Sequence, residues 1–321
     1  MHAFPCSFAY YLAPEARTDM PPRSIVVPSA GFFSRTGAVA GDPCQLGAVL
    51  ERETEVAMYQ TPTWRQTVGG PWGSVHELTG THRHASDQRL FRVLRRIRLG
   101  NQSDGDIALL NATSEGVSET AWDHHTQVRA TNTAVDAVND ERMARLPSPA
   151  VDFVATDEVL VQHPARRAYV QAKCAAMVAA KKVFRVGARI ISTRMIESVA
   201  SGSQGVVTSV VAGMYVECMF GEIVVRVRPH CFDFFDNCGE KLGSRSQIPL
   251  VLGWAVTAHR CQGLTLDTLA VDFSRQTWQK EGLVYSVLTR CRTLRGLLVR
   301  GLRHELIVVS ERALRFYGSL L

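Results

Sequence analysis

The sequence predicts an α/β protein that contains a small all-β segment. Two regions place strand-like and helical patterns next to each other, and residues 183–236 contain short alternating strands separated by glycine turns. Strand and helix periodicities that follow one another along a chain are typical of the α/β class. The chain has 321 residues, of which 46% are hydrophobic and 21% charged, so it can bury a sizeable core.

The first predicted helix spans residues 86–99. Its apolar residues recur every three or four positions: Leu90, Val93, Leu94 and Ile97. Gly100 follows as a stop signal. The opposite face carries Arg89, Arg92 and Arg96, which we interpret as a solvated face. A strand at residues 127–132 and a helix at 134–146 come next, and Pro147 ends that helix.

The all-β segment begins with a strand near Val186 and a glycine turn at residues 202–205. A hairpin is predicted around Gly221 and Glu222, since both flanking runs alternate apolar and other residues. The apolar run at residues 248–252 is expected to return the chain to the larger sheet, and residues 297–300 to add a late strand. The sequence thus predicts a small barrel within a larger α/β protein.

Charge and apolar patterning favour a polyanionic partner. The net charge is +6, and from Lys241 to the end twelve Lys/Arg residues outnumber five Asp/Glu residues. A basic segment of this kind favours nucleic acid first and a membrane surface second. No run approaches the roughly 20 apolar residues of a spanning helix, so we expect no membrane partner.

The eight cysteines form no C-x-x-C pair. Cys218, Cys231 and Cys238 could bind zinc together with His230, but this spacing fits no usual site. We expect reduced thiols, a reducing compartment and no metal site.

Four parts of the chain carry candidate chemistry. Residues 252–267 read LGWAVTAHRCQGLTLD, a His-x-x-Gln-Gly turn after a buried strand, and residues 285–292 read YSVLTRCR. Residues 37–49 read GAVAGDPCQLGAV, and Arg83 precedes the first predicted helix. The 321 residues contain no Gly-x-x-x-x-Gly-Lys-Ser/Thr loop, so the usual phosphate cradle is missing from them.

In order, these segments resemble motifs III, IV, V and VI of superfamily-one helicases, most closely the PIF-type (petite integration frequency) branch. The resemblance runs from about Gly37 to Tyr317. It implies a RecA-like helicase domain with an inserted SH3-like β-barrel, preceded by a remnant of a first RecA-like domain. The implied boundaries are 1–74 for the remnant with motif III, 75–182 and 241–321 for the two parts of the second RecA-like domain, and 183–240 for the barrel.

The resemblance also implies contacts with a nucleotide. In the intact family, ATP and Mg²⁺ lie between two RecA-like domains, and the second domain supplies arginines that neutralise the terminal phosphate. By resemblance, Arg290 is the motif VI finger, Arg83 is the motif IV sensor and Gln45 touches the terminal phosphate or its attacking water. The other implied nucleotide contacts are Asp42, Gln262 and Gly263. Arginine suits this role because its planar donors meet phosphate oxygens two at a time.

Motif V and the motif VI segment line the single-strand DNA track in the family. The implied DNA-binding residues are Thr257, His259, Arg260, Thr265, Tyr285, Thr289, Arg292 and Arg295. An alternative for His259 is a hydrogen-bonded residue buried under the turn. Contacts to backbone phosphates read no base edge, so the resemblance implies binding that is independent of DNA sequence.

We therefore expect a PIF-helicase-like protein that binds single-stranded or branched DNA in replication, repair or recombination. The lysine loop and the magnesium-holding acidic pair are missing before motif III, so we expect no autonomous ATPase or helicase activity and assign no catalytic residue. We expect no cofactor to be needed for folding. ATP and Mg²⁺ are the ligands of the intact family. One alternative is an active 5′-to-3′ DNA helicase whose ATPase half is missing from this chain. Another is a scaffold that binds no DNA and docks on a replication helicase.

Other expected partners are replication or repair proteins, or a full-length helicase paralogue. The arginine bias of residues 1–41 favours the mitochondrion, with the nucleus as the alternative.

Overall fold

The computed structural model describes residues 8–12, 39–46, 73–77, 81–236, 239–275 and 278–319. Most of the predicted remnant, residues 1–74, lies outside these ranges. By internal contacts, the described residues divide into two compact units. The first unit holds those up to Asn132 and those from Val256 onward, and the second holds Thr133–Ala255.

The described strands are, in chain order, β1 Phe8–Leu12, β2 Val39–Gly41, β3 Gly73–Glu77, β4 Thr126–Arg129, β5 Val151–Val154, β6 Thr156–Val159, β7 Lys181–Phe184, β8 Arg189–Ser192, β9 Gln204–Val211, β10 Tyr215–Phe220, β11 Ile223–Val227, β12 His230–Phe235, β13 Lys241–Gln247, β14 Leu250–Leu252, β15 Ala255–Thr257, β16 Leu269–Asp272 and β17 Leu297–Arg300. The described α-helices are α1 Gln88–Arg98, α2 Asp104–Ala112, α3 Glu119–Trp122, α4 Asn132–Ala144, α5 Pro164–Met177, α6 Ala258–Cys261, α7 Leu283–Leu288 and α8 Glu311–Gly318.

A sheet with the strand order β15-β4-β16-β17 forms the centre of the first unit. Strand β16 pairs in parallel with both β4 and β17, in registers that place Leu269 beside Thr126 and Leu297. All four residues of β16 are buried, as expected for a central parallel strand. The α/β prediction is confirmed, and so are the late strand at 297–300 and the strand that precedes α4.

Helix α1 confirms the helix predicted for residues 86–99. The four apolar residues of its pattern are buried, and the Asp87 side chain caps the first turn by accepting a hydrogen bond from the Leu90 N–H. The prediction of a solvated opposite face holds for Arg89 and Arg92, which are exposed. Arg96 is also solvated in part, with 43% of its side chain exposed, and its Nε donates to Asp106 at 2.6 Å.

Asp106 is buried at the start of α2, where it also completes a capping box with Ser103. The hydrogen bond from Arg96 is the main cause that lowers the pKa of Asp106 from 3.8 to about 2, with backbone and hydroxyl donors of Ser103 contributing. The carboxylate form is therefore the one that the folded protein stabilises.

The second unit contains an antiparallel sheet with the strand order β11-β10-β9-β8-β14. The predicted hairpin is confirmed: Phe220 pairs with Ile223, and Gly221 adopts a φ of 62° in the turn. The inner side chains form one core cluster, which includes Ile190, Val207, Val216, Val225 and Leu250. The described strands form this open order, and the SH3-like barrel stays a prediction.

One strand assignment was wrong. Residues 248–252 were expected to rejoin the larger sheet, but β14 pairs antiparallel with β8 and stays in the second unit. Leu250 is fully buried in the core cluster of that unit, so the apolar run is satisfied there. The chain reaches the parallel sheet three residues later, through β15.

A three-stranded sheet of order β12-β13-β6 lies under helix α5 in the second unit. Arg245 on β13 pairs with Asp157 on β6 at 2.6 Å and donates to the carbonyls of Cys174 and Val178 at the end of α5. One guanidinium group thus joins two strands and the carboxyl end of a helix, where a cation also suits the helix dipole.

The predicted domain boundaries stay a prediction. The segment predicted as an insertion, 183–240, lies inside the larger compact unit Thr133–Ala255. Within the described ranges, no helix is long and apolar enough to cross a membrane.

The two ends of the second unit meet at Asn139 in α4. Its amide nitrogen donates to the Ala255 carbonyl at 3.2 Å, and its amide oxygen accepts from the Ala255 N–H at 3.0 Å. Both residues are buried, so water cannot replace these bonds.

We predict that Asn139→Ala lowers the free energy of unfolding by about 2–3 kcal/mol, because it leaves a buried N–H and a buried carbonyl without partners. Urea unfolding followed by circular dichroism measures this change. Asp140→Ala, one exposed residue further along the same helix, is the matched control and should change stability by less than about 0.5 kcal/mol. Equal midpoints for the two variants would contradict the prediction.

We also predict a pH-dependent effect of Asp106→Asn. The folded-state pKa is lowered, so the stabilisation is fully present above the ordinary value of 3.8 and is lost as pH falls toward about 2. At neutral pH the variant should lose about 1 kcal/mol. As the pH falls across this range, the difference in unfolding free energy between the variant and the unmodified protein should become smaller. Urea midpoints measured at each pH give this difference. The control is Glu115→Gln, which removes an exposed charge shortly after the same helix. A difference in unfolding free energy that stays constant across this pH range would disprove the assignment.

Candidate functional site

Arg290, the predicted motif VI arginine, lies in the turn that follows helix α7. Its side chain is almost completely buried, with 2% of the residue exposed. The Nε donates to the Ser286 carbonyl at 2.9 Å, and Nη2 donates to Thr289 Oγ1 at 2.8 Å and to Gln45 Oε1 at 3.3 Å. All of these acceptors are uncharged.

Arg83, the predicted motif IV arginine, lies against the same turn. Its Nε donates to Thr265 Oγ1 and its Nη1 to the Thr289 carbonyl, both at 3.1 Å. The structure therefore brings Arg83 and Arg290 together around Thr289, although 207 positions of the sequence separate them.

This arginine pair has an unusual electrostatic environment. Burial is the main cause that lowers the pKa of Arg83 to about 9, and the charge of Arg290 lowers it further. Burial likewise lowers the pKa of Arg290, while nearby Cys261, Tyr285 and Asp42 oppose that shift. Among the described residues, neither arginine has a carboxylate within ion-pair distance. Two buried cations with neutral acceptors form a site that an oxyanion would stabilise.

Residues 42–46, which contain the predicted motif III residues, pack directly beside this pair. The Leu46 N–H donates to Ser286 Oγ at 2.6 Å, and Gln262 Nε2 donates to the Leu46 carbonyl at 2.7 Å. Gln45 and Gln262 thus lie in the same cluster as Arg290. Gly263 is exposed in the following turn, with a φ of 82°.

Gly282 at the start of α7 permits this close approach. Its φ is 67°, and a Cβ placed there would lie 2.6 Å from the Cys44 carbonyl oxygen and from the Gln45 carbonyl carbon. A side chain at position 282 would therefore collide with the backbone of residues 42–46.

Asp42 anchors the segment from its other end. Its carboxylate, which is fully buried, accepts from Nε and Nη2 of Arg98 at 3.0–3.2 Å and from the Tyr285 hydroxyl at 3.0 Å. Burial alone would lower the pKa of Arg98, but the charge and hydrogen bonds of Asp42 overcome this effect and raise it. The ring of Tyr317 in α8 stacks on the same guanidinium group, with 4.3 Å between the Arg98 Cζ and the ring centre.

A magnesium ion beside this cluster would need a free carboxylate. Asp42 is the carboxylate in contact with the cluster, and both of its oxygens are already bonded to Arg98 and Tyr285. Within the described ranges, no group of three or more His, Cys, Asp or Glu side chains could hold a metal ion. Asp42, bonded at both oxygens, is therefore a poor candidate to hold Mg²⁺, whereas Arg83 and Arg290 are groups of the kind that bind phosphate.

The structure divides the predicted DNA-binding residues into two groups. Arg260, Arg292 and Arg295 are exposed, and His259 is partly exposed with a pKa lowered by burial and by Lys280. The other group bonds within the fold: Thr257, Thr265, Tyr285 and Thr289. The Thr257 oxygen accepts the Arg260 N–H at the cap of α6, and the Thr265 oxygen accepts from Arg83. The Tyr285 hydroxyl donates to Asp42, and the Thr289 hydroxyl donates to the Ser286 carbonyl.

Of the exposed group, Arg292 pairs with Asp267 at 2.9 Å, and both side chains are more than half exposed. Such a pair contributes little to stability, so Asp267 does not prevent Arg292 from meeting a phosphate.

Two residues of the cluster were missed by sequence reasoning. Arg98 follows Leu94 by four positions and so shares the apolar face of α1, which was a usable signal for burial. His84 carried no such signal. Its Nε2 lies 3.0 Å from the Cys291 carbonyl, and burial, with the charge of Arg83 next, lowers its pKa to about 4. A neutral His84 therefore joins the Arg83 turn to the segment after Arg290.

The structure does not group the residues of the alternative zinc site on one element. Cys218 is buried in the core of the five-stranded sheet, Cys231 is exposed on β12, and Cys238 lies outside the described residues. The expectation of reduced thiols stays a prediction.

No protein-family model matches the chain. The chain is 28% identical over 292 residues to the ATP-dependent DNA helicase PIF1 of Xenopus laevis, an alignment that covers 88% of this chain and 43% of that protein. The chain thus spans less than half the length of that relative. Its fold is similar to the crystal structure of the Pif1 helicase from Candida albicans, with a TM-score of 0.67, 21% identity and coverage of 88% of this chain and 68% of that one.

A Bacteroides Pif1 structure in complex with ADP-AlF3 and ssDNA matches with a TM-score of 0.60 and 20% identity, over 87% of this chain and 65% of that one. The fold is therefore that of RecA-like helicase domains. Together with the alignment across 88% of its length, this shows that the chain is homologous to PIF1 helicases.

Proposed function

We propose that this chain binds single-stranded or branched DNA through backbone phosphates, independently of sequence, in replication, repair or recombination. The observation that carries the proposal is a set of three exposed cations, Arg260, Arg292 and Arg295. They lie on the same segments as the buried arginine pair or next to them. They lie on the segments around α6 and after α7, where the family resemblance puts the DNA track. The Bacteroides relative with a similar fold has been solved with ssDNA.

We further propose that the 321-residue chain does not hydrolyse ATP by itself. Arg83 and Arg290 can neutralise developing charge on a phosphate, but phosphoryl transfer also requires a phosphate cradle and a metal. The sequence has no lysine loop, and Asp42, among the described residues, is a poor candidate to hold Mg²⁺. Mitochondrial action, and cooperation with replication proteins or a helicase paralogue, remain part of this proposal.

The DNA proposal predicts that Arg260→Ala combined with Arg295→Ala weakens binding to a single-stranded oligonucleotide at low salt. Each phosphate contact that is lost should reduce the slope of log affinity against log salt by about 0.7, hence by about 1.4 for both. Fluorescence anisotropy across a salt series measures the slope, and the melting temperature should stay unchanged because both side chains are exposed.

The matched control is Arg89→Ala combined with Arg92→Ala, which removes two exposed cations from α1. If the control pair reduces the affinity and the slope equally, charge acts diffusely and no specific track exists. If the unmodified protein shows no salt-dependent binding, the DNA proposal is wrong.

The ATP proposal predicts that the purified chain shows no DNA-stimulated ATP hydrolysis above background, and that Arg290→Ala leaves this background unchanged. A phosphate-release assay with and without single-stranded DNA tests both points, with a PIF1 helicase as the positive control. A DNA-stimulated rate that Arg290→Ala abolishes would show that a complete site exists and would refute the proposal.

A further inference from the structure

Strand β11 forms one edge of the five-stranded sheet in the second unit. Within the described residues no strand pairs with its outer side. A free edge presents unpaired N–H and carbonyl groups and is a template for pairing with another strand. Natural edges are commonly blocked by lysine, proline or a bulge, but β11 reads Ile-Val-Val-Arg-Val and pairs with β10 in a regular register.

The hairpin geometry shows which residues of β11 face outward. Phe220 and Ile223 flank a two-residue turn and form its closing pair. The closing pair of such a hairpin is hydrogen-bonded, and bonded and non-bonded pairs alternate from there. Ile223, Val225 and Val227 therefore bond to β10, whereas Val224 and Arg226 direct their backbone groups away from the sheet.

Apolar side chains are exposed at the same place. Val224 is 57% exposed and Met219, which pairs with it across the hairpin and shares its face, is 43% exposed; Ile223, on the other face of the strand, is 45% exposed. Neighbouring exposed apolar side chains of this size mark an interaction surface more often than single ones do.

The charges at the two ends of β11 are opposite in sign, so they are complementary between two antiparallel copies of the strand. Glu222 precedes the strand and Arg228 follows it, and neither has an ion-pair partner among the described residues. When two copies of β11 pair antiparallel with Val225 opposite Val225, Glu222 of each copy faces Arg228 of the other. This register overlaps the whole strand and puts the outward groups of Val224 opposite those of Arg226.

We propose that β11 is a self-association surface, through which two copies of this chain pair antiparallel and form a continuous sheet. The interface is isologous, so one strand supplies both halves of it. It does not depend on DNA binding or on the arginine pair.

Analytical ultracentrifugation of the full chain without DNA tests the proposal, and the unmodified protein should sediment as a monomer–dimer equilibrium. Glu222→Arg alone, or Arg228→Glu alone, places like charges opposite each other and should weaken dimerisation about tenfold or more. The double variant with both changes restores complementarity and should dimerise like the unmodified protein. An equimolar mixture of the two single variants should form a heterodimer.

Val224→Pro tests the backbone contribution. It removes an outward N–H and leaves the bonds to β10 in place, so it should abolish dimers while circular dichroism stays unchanged. Asp140→Arg, a charge reversal at an exposed site on α4, is the matched control and should leave the equilibrium unaltered. A protein that is monomeric at all concentrations, or dimers that persist in both the charge variants and Val224→Pro, would overturn the proposal.

Discussion

The structure of the site depends on two buried guanidinium groups, those of Arg83 and Arg290, that have no carboxylate partner among the described residues. A buried cation is costly unless its donors are satisfied, and here the acceptors are carbonyls, hydroxyls and one amide. Many atoms must therefore be held in place around Thr289. The hydrogen bonds of residues 42–46, the His84 contact and the Gly282 turn all serve that arrangement.

A nearby carboxylate does not neutralise this pair because it is bonded elsewhere. Asp42 lies close enough to oppose the pKa shift of Arg290, yet its oxygens are bonded to Arg98 and Tyr285. The buried pair of Asp42 and Arg98 fixes residues 42–46 against α1 and α7. The arginine pair thereby keeps its positive potential, which is the property that a phosphate-binding site requires.

Local patterns predicted the elements that depend on neighbours in sequence. The α1 helix follows from its apolar spacing, and the β10–β11 hairpin follows from alternation around Gly221. The strand at 250–252 was assigned to the wrong sheet, because an apolar run does not show which of two cores will bury it. Periodicity also could not reveal that Arg96 would meet Asp106, since that contact depends on how the chain turns between two helices.

The candidate site was predictable to a similar degree. The family motifs identified Arg83, Arg290, Gln45 and Gln262, which the structure gathers in one cluster. The motifs did not distinguish side chains that face solvent from those that bond inside the fold. Tyr285 and Thr289 belong to the second kind, because a hydroxyl beside a buried charge is drawn into satisfying it. This division follows from the three-dimensional packing and not from the sequence pattern.

The strand order of the parallel sheet has a consequence for synthesis of the chain. Strand β4 is complete by Arg129, but its partner β16 begins at Leu269 and β17 at Leu297. On the ribosome, β4 must therefore wait for some 140 further residues before it can pair with β16. During that interval the whole segment Thr133–Ala255 emerges, and its hairpins β9–β10 and β10–β11 involve much shorter separations. Because contacts between distant residues form slowly, the second unit can fold first, while strand β4 remains unpaired.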